Sequence, residues 1–334
     1  MTVPADMVGE LKKRLLTSVQ GGGRDLDVGA LLLTELPKPI TVNPKLANLV
    51  RIDFGHNRMT RWPDLRPLQR VGIVHAGGNQ ITDLCVPEFT QHTRLRELTV
   101  MGNRITRLPP QIGDFELLQK LDMSNNCISS LPNEIGYLYR LEELNLSGNA
   151  QLVKLPRTIR DLESLELLNL DFCNVMVVPS ELTYLSRLLE LGLGKNGLIR
   201  LPEDIGRMTR LVRLNLSDNK LTDLPISMGM CESLGQIGAG AAIDGNPIAD
   251  PAMLAAHRIG ADHLQRYLAK RMQLKHGLSP PPLPAVPYHN LLKRRERRQR
   301  GAGGAAGATT IALGGGSAGA AAAARSAEAA KRDD

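Results

Sequence analysis

The stretch LQKLDMSNNCISSLPNEIGYLYRLEEL, from Leu118 to Leu144, decides the fold of this chain, because its pattern of apolar residues returns about every 23 positions on both sides. In this copy, apolar residues stand eight, five and three positions before Asn126. The same marker position recurs in nine copies, which indicates a tandem repeat whose units stack. The markers are Asn57, Asn79, Asn103, Asn126, Asn149, Cys173, Asn196, Asn219 and Asn246.

Each copy predicts one short strand of a parallel sheet. Its apolar positions alternate with polar ones, so one side of the strand is buried and the other faces out. A single copy cannot bury its leucines alone, whereas stacked neighbours enclose them. The marker asparagine can bond to free backbone groups where the chain turns away from the sheet, so repeated copies predict a ladder. Cys173 can fill the same inward position because cysteine is a small residue that is often buried.

The repeats resemble the leucine-rich repeat superfamily, whose pattern is L-x-x-L-x-L-x-x-N/C-x-L. After the marker comes a Leu-Pro pair and then an Ile-Gly pair, as in Leu131, Pro132, Ile135 and Gly136. This form is similar to the intracellular Ras-group proteins, which include the Shoc-type scaffolds, the Ras suppressor protein and their plant relatives. The resemblance implies a scaffold rather than a catalyst, with a role linked to small GTPase signalling.

The predicted fold class is α/β, a leucine-rich repeat solenoid with a curved parallel β-sheet on its concave face. Proline after each marker ends the strand, so short helices, 3₁₀ turns and loops are expected on the convex face. Helical caps are expected at both ends, because the apolar edge of a terminal repeat must be covered. The expected regions are an amphipathic N-terminal capping helix in 1–24, about nine repeats plus a degenerate first one in 25–248, a C-terminal helical cap in 249–277, and a proline-rich linker, basic cluster and Ala/Gly-rich disordered tail in 278–334.

Two segments of the solenoid leave alternatives open. The amphipathic helix predicted for residues 4–19 favours a lid over the first repeat, with a partner or membrane helix as the alternative. The step from Asn219 to Asn246 is 27 positions, with about four extra residues across 235–242, where glycine and alanine replace leucine. We expect a bulged loop there in place of a regular final strand, and the sequence does not say whether the insertion has a function.

Composition and cysteine usage favour an intracellular protein. Aromatic residues are only 3% of the chain, which suits a solenoid built from leucine. The four cysteines lie in different repeats without close pairs or a C-x-x-C motif. The amino terminus lacks the apolar core of a signal peptide, and no apolar run is long enough to span a membrane. We therefore expect a cytoplasmic monomer without a cofactor or a metal.

The basic charge lies mainly in the C-terminal tail. The net charge is +7, and residues 277–334 carry nine Lys/Arg and four Asp/Glu, which gives +5. SPPPLPAVP, residues 279–287, favours extended polyproline geometry and is either a stiff linker or an SH3 or WW ligand. The basic cluster is either a solvated helical extension or a site for nuclear import, nucleic acid or an acidic surface. If the cluster is such a site, the alternative function is that of a nuclear or nucleic-acid-associated factor that acts through the tail. The cluster consists of Lys293, Arg294, Arg295, Arg297, Arg298 and Arg300.

The outward strand positions, six, four and two residues before each marker, predict a partner-binding surface on the concave face. This surface is polar and tends to be acidic, so it suits a protein partner with a basic patch. Leu167 and Phe172 are its candidate apolar anchors, and Phe172 can equally pack against a neighbouring coil. No catalytic or metal-ligating combination recurs, so we do not expect an enzyme. The predicted binding residues are Glu97, Thr99, Met101, Lys120, Asp122, Glu143, Asn145, Leu167, Asn169, Asp171, Phe172, Glu190, Arg213 and Asn215.

Overall fold

A computed structural model describes residues 5–90, 94–236 and 240–276, which form the repeat solenoid and its caps. The predicted linker, basic cluster and tail of 278–334 lie outside the described residues. Ten short strands form one sheet in which each strand pairs in parallel with the next one along the chain. The predicted fold class is confirmed. The strands are β1 (Asp25–Asp27), β2 (Arg51–Asp53), β3 (Ile73–His75), β4 (Glu97–Thr99), β5 (Lys120–Asp122), β6 (Glu143–Asn145), β7 (Leu167–Asn169), β8 (Glu190–Gly192), β9 (Arg213–Asn215) and β10 (Gly240–Ala242).

Each strand begins six residues before its marker, so the repeat period alone sets the register of the sheet. Leu98, Leu121 and Leu144 are direct partners at the centres of three adjacent strands. All three are at most 1% exposed. Neighbouring strands lie about 4.8 Å apart, so these leucines form a continuous buried column. The residues on either side of each leucine point away from the column, because side chains alternate along a strand.

The chain returns along the convex side through short helical turns. In six repeats a proline in extended conformation precedes a five-residue 3₁₀ turn, as Pro132 does at Asn133–Tyr137. The proline fixes φ and cannot donate a backbone hydrogen bond, and the turn then buries its isoleucine and glycine, Ile135 and Gly136. The 3₁₀ turns are Pro44–Leu46, Pro110–Asp114, Asn133–Tyr137, Arg157–Asp161, Ser180–Tyr184, Glu203–Arg207 and Ile226–Met230, and the short helices are α2 (Lys38–Thr41), α3 (Pro87–Thr90) and α4 (Ser233–Gln236).

The marker side chains form the predicted ladder. Asn126 Oδ1 accepts the backbone N–H of Ile105 from the preceding repeat at 3.0 Å. Its Nδ2 donates to the carbonyls of Val100 and Met123, each at 3.0 Å. The other marker asparagines repeat this arrangement, so every one binds its own repeat to the one before it. Because these backbone groups are buried, the ladder satisfies donors and acceptors that would otherwise be costly.

The residue before each marker adopts the left-handed conformation. Glycine and asparagine reach positive φ most readily, which explains their frequency at this position. Phe172 (φ 57°) and Lys195 (φ 51°) adopt it as well, at a steric cost for a residue with a bulky side chain. Before the nine markers these residues are His56, Gly78, Gly102, Asn125, Gly148, Phe172, Lys195, Asp218 and Gly245, and Ala30 adopts the same conformation in the degenerate first repeat.

Cys173 occupies its ladder position without an amide because the preceding repeat has one extra residue. In that repeat the N–H of Leu152 bonds to the carbonyl of Asn149 at 2.9 Å. The Leu152 N–H therefore needs no acceptor from a marker side chain. Cys173 Sγ donates to the carbonyl of Leu146 at 3.3 Å, which replaces one of the two usual donor bonds.

An amphipathic helix, α1 (Ala5–Gln20), covers the first repeat. Leu11 is buried in the core, and Leu15 and Val19 pack against it. Arg14 donates to the carbonyl of Gly29 at 2.9 Å, and Ser18 to that of Asp25 at 2.6 Å. These contacts make α1 a lid on the first coil.

Two helices, α5 (Pro251–Ile259) and α6 (Ala261–His276), cover the last repeat. They divide at Gly260. Asp250 caps α5 by accepting the N–H groups of Ala252 and Met253, and it also accepts the Tyr267 hydroxyl at 2.5 Å. No helix of the described residues is long and apolar enough to cross a bilayer.

The expectation of a bulge in place of the final strand is wrong. The extra residues of 235–242 precede the strand, and α4 takes up part of them. Strand β10 then pairs with β9 in the usual register, Ala241 opposite Leu214. The small residues serve close packing of the cap, because a Cβ on Gly235 would lie 3.2 Å from the Cα of Asp262 in α6. Glycine and alanine therefore reflect contact with α6 rather than loss of the strand.

Candidate protein-binding face

The outward side chains of β1–β10 form one surface, which we call the strand face. The predicted residues lie on it in rows, since positions six and four before successive markers are direct strand partners. Lys120 lies opposite Glu97 and Glu143, and Asp122 lies opposite Thr99 and Asn145. The structure therefore brings the predicted residues together as neighbours at strand spacing.

Accessibility divides the predicted residues into two groups. Thr99, Met101, Asp122 and Asn215 are among those that are half-buried and reach the surface. Leu167, by contrast, is 0% exposed, so its prediction as an accessible anchor is wrong. The half-buried residues are Glu97, Thr99, Met101, Lys120, Asp122, Glu143, Arg213 and Asn215; the buried ones are Asn145, Leu167, Asn169, Asp171 and Glu190.

Asp171 has a structural position that the sequence did not reveal. Its Oδ1 accepts the backbone N–H of Gly194 at 2.6 Å and the Asn215 side-chain amide at 3.1 Å, which lies two strands away. Gly194 leaves the space that the Asn215 side chain occupies, because a Cβ there would clash with the Asn215 amide. Burial raises the pKa of Asp171 despite these hydrogen bonds. This carboxyl group therefore ties three repeats together and is 6% exposed, so it adds little acidic surface.

Charged side chains form ion pairs along the rows of the strand face. Lys120 Nζ lies 3.5 Å from Glu143, and Arg213 lies 3.5 Å from Glu190. These pairs join adjacent strands and fix the side chains in place. They also reduce the net acidity of the middle of the face.

A charged cluster on β2–β4 was missed at the sequence level. His75 lies between two carboxylates, with Nδ1 3.4 Å from Asp53 and Nε2 3.3 Å from Glu97, and Arg51 lies beside it at 3.4 Å. Extending the same register to the markers Asn57 and Asn79 would have placed these residues together. The cluster joins three adjacent strands through side-chain contacts.

The two carboxylates hold His75 in its charged form. Hydrogen bonds to Asp53 and then to Glu97 raise the pKa of His75 to about 9. Burial opposes ionisation of Asp53, but the bonds from His75 and the N–H of Gly55 outweigh it and lower its pKa. The hydrogen bond from His75 lowers the pKa of Glu97. At neutral pH the cluster therefore contains two carboxylates, an imidazolium and a guanidinium.

Phe172 lies at the rim of the strand face, where the residue is 52% exposed. Lys195 of the neighbouring coil lies over its ring, with Nζ 4.7 Å from the ring centroid. A bulky side chain that is held in the left-handed conformation and exposed to solvent is consistent with a contact residue.

The described part of the chain holds no metal-type cluster, and burial keeps two of its thiols protonated. Within residues 5–90, 94–236 and 240–276, no three His, Cys, Asp or Glu side chains come together as a metal site. Burial raises the pKa of the Cys173 thiol to about 11 and that of Cys231 to about 12. Neither thiol is therefore an activated nucleophile.

Family models identify the repeat directly. Residues 59–191 match a model described as a leucine-rich repeat region, and residues 210–231 match one described as a leucine rich repeat. No curated protein matches the chain significantly.

Solved structures show the same fold. The leucine-rich repeat protein LIC12759 of Leptospira interrogans is 32% identical, with a TM-score of 0.65 over 72% of this chain. Two Listeria monocytogenes proteins also match. The functional domain of InlJ, which includes a cysteine ladder, is 22% identical, with a TM-score of 0.56 over 69% of this chain. An internalin, inlF, is 23% identical, with a TM-score of 0.53 over 68% of this chain. The chain covers 60%, 46% and 61% of these three structures, about half to three-fifths of their lengths.

Proposed function

Because the chain is a leucine-rich repeat solenoid, we propose that it is a non-catalytic scaffold or adaptor that binds a protein partner on its strand face. Proteins with this fold generally mediate protein–protein interaction. The observation that carries the proposal is the strand face itself, where half-buried charged and polar side chains stand in fixed rows on a rigid sheet. Such preorganised charges favour encounter and register with a complementary protein surface.

The partner that this face fits carries basic side chains. The accessible carboxylates include Glu97, Asp122 and Glu143, which lie on three consecutive strands. Phe172 supplies an exposed aromatic ring at the rim. An aromatic anchor beside polar contacts is typical of binding surfaces. A link to small GTPase signalling, and a cytoplasmic location, belong to the same proposal and rest on the Leu-Pro and Ile-Gly form of the repeats.

The proposal can be tested with charge-neutral variants that keep side-chain volume. In the face variant, Glu97→Gln, Asp122→Asn and Glu143→Gln remove three charges from the strand face. The matched control removes three charges from the exposed convex side. It combines Asp114→Asn, Glu116→Gln and Glu163→Gln.

The full chain, both variants and a chain truncated after His276 are compared as baits in quantitative affinity capture from cell lysate. We expect the wild type, the control and the truncation to retain the same proteins, and the face variant to lose them. Capture that the face variant retains and the truncation loses would assign function to the basic tail instead. The absence of small GTPases or their regulators among the retained proteins would refute that part of the proposal alone.

A further inference from the structure

A second surface lies where the chain leaves the strand face for the convex side. We call it the descending edge and define it as the exposed side chains three and four positions after each marker, shifted by one in the repeat of Asn149. Adjacent repeats bond to each other here, as Ser129 N–H does to the carbonyl of Thr106 at 3.3 Å and Met176 N–H to that of Val153 at 3.5 Å. The side chains of the edge therefore stack at the strand spacing of about 4.8 Å.

Three consecutive repeats place an aliphatic side chain on this edge, where five others carry threonine or serine and the last carries Ala249. Val153, Met176 and Ile199 occupy the third position and are 40%, 55% and 58% exposed. Val177 in the fourth position is 52% exposed. The equivalent residues elsewhere are Thr60, Thr82, Thr106, Ser129 and Thr222. The fold does not require an aliphatic residue at this position, so the apolar run has another cause.

The apolar run continues into a cavity at the C-terminal cap. This cavity of about 470 Å³ has a mixed lining. Its apolar residues include Ile199, Leu224, Ile226 and Leu274, and its charged residues are Arg200, Glu203, Asp223, Arg271 and Lys275. Leu274 on α6 is 79% exposed. The apolar part of the descending edge therefore extends from Val153 to the cap.

The early half of the edge carries basic side chains. Arg61 and Arg107 occupy the fourth position, and Arg58 and Arg104 lie just after their markers; all four are exposed. Asp83 is the carboxylate that lies near Arg107 and interacts with it electrostatically. Lys154 and Arg200, which are also exposed, occupy the fourth position in two of the aliphatic repeats. The edge therefore carries basic side chains along its length and aliphatic ones in three consecutive repeats.

We propose that the descending edge binds a protein segment that carries an acidic block and an aliphatic block. The acidic block would lie opposite Arg104 and Arg107 and the aliphatic block opposite Met176 and Ile199. Three repeat steps separate Arg107 from Met176, which is about 14 Å at strand spacing. The two blocks therefore stand about four residues apart in an extended segment, or about nine in a helix.

Other occupants fit the edge less well. Anchoring in a bilayer needs apolar side chains that project into the lipid, whereas these side chains keep about half of their surface against the solenoid. The strand face of a second copy offers carboxylates but no accessible aliphatic block, since its Leu167 is buried.

The test uses variants that copy the chain's own repeats. Val153→Thr, Met176→Thr and Ile199→Thr together install the residue found at the same position in other repeats, and Arg104→Glu with Arg107→Glu reverses two basic charges of the early half. The controls are Val42→Thr, an aliphatic residue that is 70% exposed elsewhere, and Arg187→Glu, an exposed arginine outside the edge. Far-UV circular dichroism checks that every variant folds.

A displayed library of random 16-residue peptides is selected on the full wild-type chain, and the enriched peptides are measured by fluorescence anisotropy. We expect the enriched peptides to contain an acidic block and an aliphatic block. Their affinity should be at least about tenfold weaker for both edge variants and unchanged for the controls. Peptides without an acidic block, no enrichment, or affinities that the threonine variant leaves intact would overturn the proposal. So would phosphatidylserine vesicle binding, or concentration-dependent dimerisation, that the threonine variant abolishes.

Discussion

The ladder makes one quantitative prediction that separates two chemically similar truncations. In Asn126→Ala the buried N–H of Ile105 loses its acceptor, which costs about 1–3 kcal/mol. The carbonyls of Val100 and Met123 lose one donor each but keep another, from Asn103 and Asn149. Each of these lost bonds contributes about 1 kcal/mol. The free energy of unfolding should therefore fall by about 3–5 kcal/mol.

Cys173→Ala is the matched truncation at the same ladder position. Here the N–H of Leu152 keeps its bond to Asn149, so no backbone donor is left without an acceptor. Only the weak bond from Sγ to Leu146 and the contacts of one sulfur atom are lost. The expected loss is about 1 kcal/mol.

Urea unfolding of the full chain measures both values. Circular dichroism follows the whole solenoid, and Trp62, which is 5% exposed, reports on the early repeats. Coincident transitions from the two probes justify a two-state free energy. Equal losses in the two variants, or a loss below about 1 kcal/mol in Asn126→Ala, would refute the assignment of stability to ladder bonds.

Three further predictions concern charge and packing. His75→Gln should remove roughly 2–3 kcal/mol of stability. The wild type has this stability in full below about pH 6.5 and loses it as the pH rises through about 9, so the urea midpoints of the two proteins should converge at high pH. Asp250→Ala should cost about 1–2 kcal/mol through its cap and speed hydrogen exchange in α5; unchanged exchange there would contradict this role. Gly229→Ala should cost about 1–3 kcal/mol, since the new Cβ would lie 2.7 Å from the backbone of Ala269. Gly9→Ala should instead stabilise the protein by about 0.5–1 kcal/mol, because a Cβ there contacts no other atom. Melting temperatures measure both effects.

The repeat period was sufficient to predict the architecture, because each property it fixes is local to one repeat. The strand of Lys120 to Asp122, the turn after Pro132 and the inward position of Asn126 all follow from offsets within about 23 residues. The start of the cap at Asp250 and its division at Gly260 likewise depend on the backbone preferences of single residues.

Properties that depend on distant repeats could not be predicted in this way. Asp171 is bonded to Asn215, which lies two strands away and reaches it past Gly194. The small residues of 235–242 predict a bulge because nothing local to them shows that α6 packs there. Position on the strand face was thus predictable, whereas accessibility, which decides what a partner can touch, was not.

The direction of the ladder bonds has a consequence for synthesis of the chain on the ribosome. Each marker amide reaches back to the repeat before it, as Asn246 does to Leu216 and Leu221. A repeat that has just emerged therefore has a backbone loop with open hydrogen-bonding groups until the next marker follows it. Structure should be acquired one repeat behind the exit tunnel, and a nascent chain stopped at any point should carry a last coil that frays.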